Sequence, residues 1–330
     1  MEAGHWKQIS RLAAGRLRAN SQDAQAHCWL AKTKLSYNDI EGAIAEAEKA
    51  VAIDGGNAAY HAQLAEAYAL MADKSSAIKG AVYVHKMNHE LEAALALNPR
   101  QVDALLVQMM FCWKAPALAG GNRQRALSIA DNIVSFLPSW GYLAHARMLA
   151  GKGEDAKLES YLKKAAQADP GMLRPKLWLA EFYCFQAQAK RPDLAEREAR
   201  QALAIDASAG PAYKVLAHVY ASERRWADLD RVIAQSEAAA PEDLSPLHSA
   251  AEALIETGQD FQRAERYLQK YMTQPPEGHQ PTHAEAHWLL ADLYKREGRK
   301  SDAVRELQAA LRLQPGFSRA RQDLSQLSRS

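Results

Sequence analysis

Three histidines, His279, His283 and His287, recur every four residues. On a continuous helix that spacing stacks imidazoles on one face and suits a zinc ion. Pro281 and the capping-box pattern Thr282-x-x-Glu285 start a helix after His279, so only His283 and His287 share a face. The expectation is that His287 fills a contact between two helices and His283 stands exposed in the first turn. His85-x3-His89-Glu90 has its glutamate outside the two histidines, whereas a metalloprotease helix needs it between them. That pair reads as a solvated helix face. Cys28, Cys112 and Cys184 are far apart, odd in number and without a neighbouring histidine, which points to small buried or groove-lining thiols. Gly151-Lys152-Gly153 and Ala72-Asp73-Lys74-Ser75 lack phosphate-loop spacing, and neither G-x-G-x-x-G nor G-x-S-x-G occurs. The carboxylate pairs Glu46/Glu48, Glu90/Glu92 and Glu196/Glu198 are spaced i,i+2, which puts the two members on different helix faces. They read as solvated charge. No catalytic residue, metal or cofactor is expected, and an enzyme site around His145, Arg147 and Glu181 rests on proximity alone.

The bulk properties agree with a non-catalytic chain. Its 330 residues are 48% apolar, with a formal net charge of +2. Neither nucleic acid nor an anionic membrane is implied by so small a charge. The segment from Lys295 to Ser330 holds nine Lys/Arg against four Asp/Glu, but no aromatics interleave with them as a nucleic-acid surface requires. The most apolar run, Leu105 to Trp113, contains Gln108 and is far short of the ~20 residues that span a bilayer. Cysteine usage and the absence of an apolar leader suggest the cytoplasm; a periplasmic origin stays open if a signal segment has been removed.

The elements that carry these residues repeat. One unit reads His287-x2-Leu290-Ala291-x2-Tyr294, Gly298, Ala303-x3-Leu307-x2-Ala310, Pro315. Another reads Tyr213-x2-Leu216-Ala217-x2-Tyr220, Leu229-x3-Ile233-x2-Ser236, Pro241, and a third His27-x2-Leu30-Ala31, Ala43-x3-Ala47-x2-Ala50, Gly55. Apolar residues at intervals of three and four make each half an amphipathic helix. The small residue of the first helix (Ala31, Ala65, Ala146, Ala180, Ala217, Ala251, Ala291) admits the second helix closely, and Gly153, Gly258 and Gly298 turn the chain between them. Proline or glycine ends the second helix.

This pattern resembles the tetratricopeptide-repeat (TPR) family over nearly the whole chain. The resemblance implies an all-α fold, a right-handed α-solenoid of about eight helix-turn-helix repeats with terminal capping helices. The expected organisation is a cap at 1–22, repeats at 23–56, 57–100, 101–138, 139–172, 173–208, 209–243, 244–281 and 282–316, and a cap at 317–330. His27, His61, Tyr142, Tyr213 and His287 stand where the family carries a large tryptophan. Extra residues fall between Ala77 and Ala94, at Ala115–Gly121 and at Lys190–Asp193, and are expected to emerge at helix turns. The Pro116-to-Gly121 stretch also resembles a loop of bacterial periplasmic TPR proteins.

The family resemblance implies a groove lined by the first helices. By helical spacing the inward residues are Cys28, Lys32 and Leu35; Ala62 and Glu66; Leu106, Met110 and Trp113; Trp140, Leu143 and Arg147; Leu177, Glu181 and Cys184; Lys214 and His218; His248 and Glu252; Trp288, Asp292 and Lys295. An apolar centre with methionine and tryptophan suits a peptide or helix, and the mixed charges would set its register. The other reading of Leu106 and Trp113 is that they are core beneath the Pro116 insertion. Chaperone-adaptor TPRs clamp a C-terminal carboxylate; the corresponding positions here are Cys28, Lys32, Gln63, Asp103 and Val107, so no such clamp is expected. The expected function is a non-catalytic scaffold that binds a protein or peptide. The alternative is a small apolar ligand in the groove centre, and self-association through an uncovered end stays open.

Overall fold

A helix with one apolar stripe must bury it against a neighbour, and helix pairs stacked in sequence do this with short connections. The computed structural model describes residues 4–186 and 190–329, and all regular structure among them is helical. The chain forms two compact units, Trp6–Pro175, and Lys176–Ser330 together with Met1–His5.

The N-terminal unit opens with α1 (Trp6–Ala19), followed by the pairs α2 (Ala24–Ser36) and α3 (Ile40–Ile53), α4 (Ala58–Lys74) and α5 (Ala77–Leu97), α6 (Val102–Lys114) and α7 (Arg123–Phe136), and α8 (Pro138–Leu149) and α9 (Asp155–Ala168). The division falls inside α10 (Leu173–Phe185). The C-terminal unit continues with α11 (Pro192–Ile205), then α12 (Gly210–Ser222) and α13 (Trp226–Ala239), α14 (Ser245–Glu256) and α15 (Phe261–Tyr271), α16 (His283–Arg296) and α17 (Lys300–Leu313), and ends with α18 (Ser318–Arg329).

The small residues do what their spacing predicts. Ala31, Ala65, Ala146, Ala180, Ala217, Ala251 and Ala291 have no exposed surface. Gly298 turns the chain at φ +74° with open space where a Cβ would stand, so its role is conformational. Asn38 and Arg224 take the same left-handed conformation at the equivalent turns. The Thr282–Glu285 capping box is formed by both of its bonds, at 2.6 and 3.1 Å.

Two polar contacts recur, and they correct the reading of Glu46, Glu48, Glu90 and Glu196 as merely solvated charge, while Glu92 is exposed as that reading has it. The first joins the helices of one pair: His27 Nδ1 lies 2.6 Å from Glu46, His61 Nδ1 2.6 Å from Glu90, and His287 Nδ1 2.6 Å from Glu306. The second joins one pair to the next. The Tyr68 hydroxyl donates to Glu48 at 2.6 Å, Tyr220 to Glu196 at 3.0 Å and Tyr294 to Glu265 at 2.6 Å. A cation lies over each ring: Lys86 at 5.2 Å from Tyr68, Arg225 at 4.4 Å from Tyr220 and Arg299 at 4.0 Å from Tyr294. The i,i+2 spacing does put Glu46 and Glu48 on different faces; each face meets a different helix. Glu198 is likewise buried, beside Lys176 at 3.5 Å.

The insertions behave differently from one another. The extra residues after Ala77 do not emerge at a turn but lengthen α5 to 21 residues, against 14 in α3 and α7. Nothing in that stretch breaks a helix, so the helix continues. Ala115–Gly121 does leave the helices, as a loop around a 3₁₀ turn at Ala117–Ala119. Gly121 is required there, because a Cβ would lie 1.8 Å from the Ala115 carbonyl oxygen, and the Asn122 N–H closes the loop onto Cys112 O at 2.8 Å. The insertion at Lys190–Asp193 supplies the first turn of α11, with Pro192 in it.

Candidate functional site

In the N-terminal unit α2 neighbours α4, α4 neighbours α6 and α6 neighbours α8, so first-helix side chains at equivalent positions form rows across the helices. Leu106, Met110 and Trp113 are half-buried on α6. They pack against the core of Leu105, Met109, Cys112, Ile129 and Ile133 and keep an outer surface, so the apolar centre is continuous with the core beneath it. The Arg123 guanidinium lies 5.3 Å over the Trp113 ring. Charges of both signs surround this strip. Lys32 pairs with Asp103 at 3.7 Å, and Gln63 donates to Glu66 at 3.4 Å. Burial and the Asp103 charge push the Glu66 carboxyl up, while Arg147 and Lys32 oppose them. Arg147 is exposed. Burial pushes the Cys28 thiol up to about 11, which makes it a poor nucleophile at neutral pH.

In the C-terminal unit Glu181, Lys214 and Glu252 are half-buried on three successive first helices. Lys214 lies 5.1 Å over the Phe185 ring. Burial raises the Glu181 and Glu252 carboxyls, and the Lys214 charge offsets part of this at both. Burial pushes the Cys184 thiol up to about 12.

Several residues expected on an open face are elsewhere. Leu143, Leu177 and His218 are 3%, 6% and 7% exposed, which makes them core. Their helical face is as the spacing predicts; neighbouring helices cover it. For His218 the cover is Phe185 of α10, edge to face at 5.0 Å, and Ser249 of α14, whose carbonyl accepts from Nδ1 at 3.3 Å. Burial holds His218 at about 4 and His248 at about 3, so both are neutral at pH 7. Trp288 is taken up by the chain's last helix, and Asp292 by Lys295 and Arg296 of its own helix. Asp323 of α18 accepts from Trp288 Nε1 at 3.1 Å and from Lys295 at 2.8 Å, and Lys295 also pairs with Asp292 at 3.2 Å.

Among the described residues no three His, Cys, Asp or Glu side chains come together as metal ligands. His287 is held by Glu306 and His283 Nε2 lies 3.0 Å from Gln274 O, rather than standing exposed, while His85 and His89 are exposed. No described helix is long and apolar enough to cross a membrane.

Stacked antiparallel pairs with alanines at the crossing and glycine or its left-handed substitutes at the turn define a helical-repeat protein. The tetratricopeptide-repeat family model matches residues 254–327. Yeast Tom70 is similar in structure, at 13% identity over 98% of this chain and 78% of that one, with a TM-score of 0.57. So are a tetratricopeptide repeat protein from Parabacteroides merdae (15% identity, 80% and 98% of the two chains, TM-score 0.51) and human IFIT1 with m7Gppp-AAAA (16%, 92% and 62%, TM-score 0.54). At such identities the likeness is one of fold. No curated protein sequence matches the chain. Residues 254–327 match the tetratricopeptide-repeat model, and nearly the full length of the chain shares the helical-repeat fold of these structures.

Proposed function

We propose that this chain is a non-catalytic scaffold that binds a segment of another protein along the first-helix face of its N-terminal unit. The observation that carries the reading is the half-buried strip of Leu106, Met110 and Trp113 on α6, bordered by Lys32, Glu66 and Arg147 on α2, α4 and α8. An apolar strip with mixed charges at its sides suits an amphipathic helix or extended peptide, the apolar residues supplying affinity and the charges register. Within the C-terminal unit, Glu181, Lys214 and Glu252 give its first helices a face of mixed charge. The m7Gppp-AAAA bound by IFIT1 is not carried over, because half-buried carboxylates on both faces oppose phosphate.

The test is capture of partners with the wild type, Met110→Glu and Arg147→Glu in parallel, each variant first shown to melt like the wild type. Loss of a saturable partner from both variants supports the reading. Retention of the same partner by both places binding on another surface and overturns it.

A further inference from the structure

The two insertions that break the repeat pattern of the N-terminal unit meet at one place. Along that unit a second helix normally packs on the next first helix, as α3 does on α4 and α7 on α8. The lengthened α5 instead packs closely on α4 and only sparsely on α6, which leans on α4. Ala119 and Gly120 of the Ala115–Gly121 loop border a cleft between α5 and α6. The cleft has a volume of about 420 Å³ and is open to solvent, Asn88, Glu92, Ala119, Gly120 and Arg125 of its lining being exposed. That volume falls in the range of roughly 300–1,000 Å³ typical of small-ligand sites.

The lining has two characters. Leu91 and Leu95 of α5 and Phe111 and Cys112 of α6 are apolar, Leu91 and Cys112 being fully buried. Gly120 at φ +96° lets the loop lie on Phe111, since a Cβ there would sit 3.3 Å from the ring. The polar groups come from three helices: Glu92 and Asn88 from α5, Arg125 from α7 and Gln108 from α6. Glu92 and Arg125 both line the cleft and both are exposed, so groups of opposite charge stand at its rim. Arg125 is close enough to the cleft wall for its charge to act on the Cys112 thiol, against the burial that raises it.

We infer that this cleft is a binding site for a small zwitterion with an apolar body, of the amino-acid class, its ammonium facing Glu92, its carboxylate facing Arg125 and its side chain on Leu91, Leu95 and Phe111. A purely apolar ligand would leave both charges unused, and a simple anion would meet the Glu92 carboxylate. The site is separate from the first-helix face and does not depend on what binds there.

Isothermal titration of the full chain with L-phenylalanine and L-leucine tests this, with N-acetyl-L-phenylalanine, L-phenylalaninamide and glycine as controls lacking the ammonium, the carboxylate and the apolar body. Saturable binding of the first two, weakened at least tenfold in every control, is the expected result. Arg125→Gln and Glu92→Gln alter exposed side chains and should each weaken binding of L-phenylalanine by a similar factor. Ala119→Trp, which fills the cleft from the loop, should abolish it. Bound L-phenylalanine should also slow modification of Cys112 by a small methanethiosulfonate. No saturable binding at millimolar concentration, equal binding of the controls, or unchanged binding by the Ala119→Trp variant would each overturn the assignment.

Discussion

Replacing Tyr294 by phenylalanine removes one hydroxyl and leaves the ring in place. That hydroxyl donates to Glu265 at 2.6 Å, joining α16 to the helix of the preceding pair. Tyr294 is 5% exposed, and the Glu265 side chain 24%. A hydrogen bond to a charged acceptor contributes about 1.5–3 kcal/mol when well buried. Water can reach Glu265 after the change and recover part of this, so the expected loss is about 1–2 kcal/mol. Arg299 stays over the ring at 4.0 Å, and its guanidinium lies 3.6 Å from Glu265, so the charge remains partnered. Urea unfolding followed by circular dichroism would measure the loss for Tyr294→Phe, Glu265→Gln and the double variant. The contact as described requires a coupling energy of at least ~0.5 kcal/mol between the two sites. Additivity of the two changes within ~0.3 kcal/mol would refute the reasoning, because the hydroxyl and the carboxylate would then act independently.

Ala217→Leu places a branched side chain where α12 has no exposed surface, and should cost about 1–3 kcal/mol in the same assay; His85→Ala, on the exposed face of α5, should stay within about 0.5 kcal/mol. Gly298→Ala should cost about 1 kcal/mol by circular-dichroism melting, purely from the left-handed backbone since nothing crowds a Cβ, and Gly298→Asn less. His218 and His248 are held at about 4 and about 3, below the unfolded value of 6.5. Between pH 6.5 and 4 the unfolded chain therefore binds protons the folded chain does not, and stability falls as pH falls, by on the order of 2 kcal/mol per imidazole. Glu181 and Glu252, whose carboxyls are raised, act in the opposite sense. The test is the difference in stability between wild type and His248→Phe: it should shift against the wild type as pH is lowered from 7 to 4.5, and a constant difference would refute the buried-neutral assignment.

The helices, their pairing and their turns were legible in the sequence because they depend on neighbours in the chain. Apolar residues at intervals of three and four, an alanine at each crossing, Gly298 at a turn and Thr282–Glu285 at a start act over a few residues. The first-helix rows were read from the same periodicity; Met110, Trp113 and Glu66 are half-buried and Arg147 is exposed. Which members of those rows are open was decided only by packing. His218 lies on the predicted face and is closed by Phe185 and Ser249, Trp288 is engaged by Asp323 of α18, and Asp292 is paired with Lys295 and Arg296 of its own helix. The glutamates show the same boundary most clearly. The i,i+2 spacing of Glu46 and Glu48 fixes that they point apart, but His27 and Tyr68, which receive them, lie 19 and 20 residues away. A partner at that distance is set by how pairs stack, as is the cleft between α5 and α6.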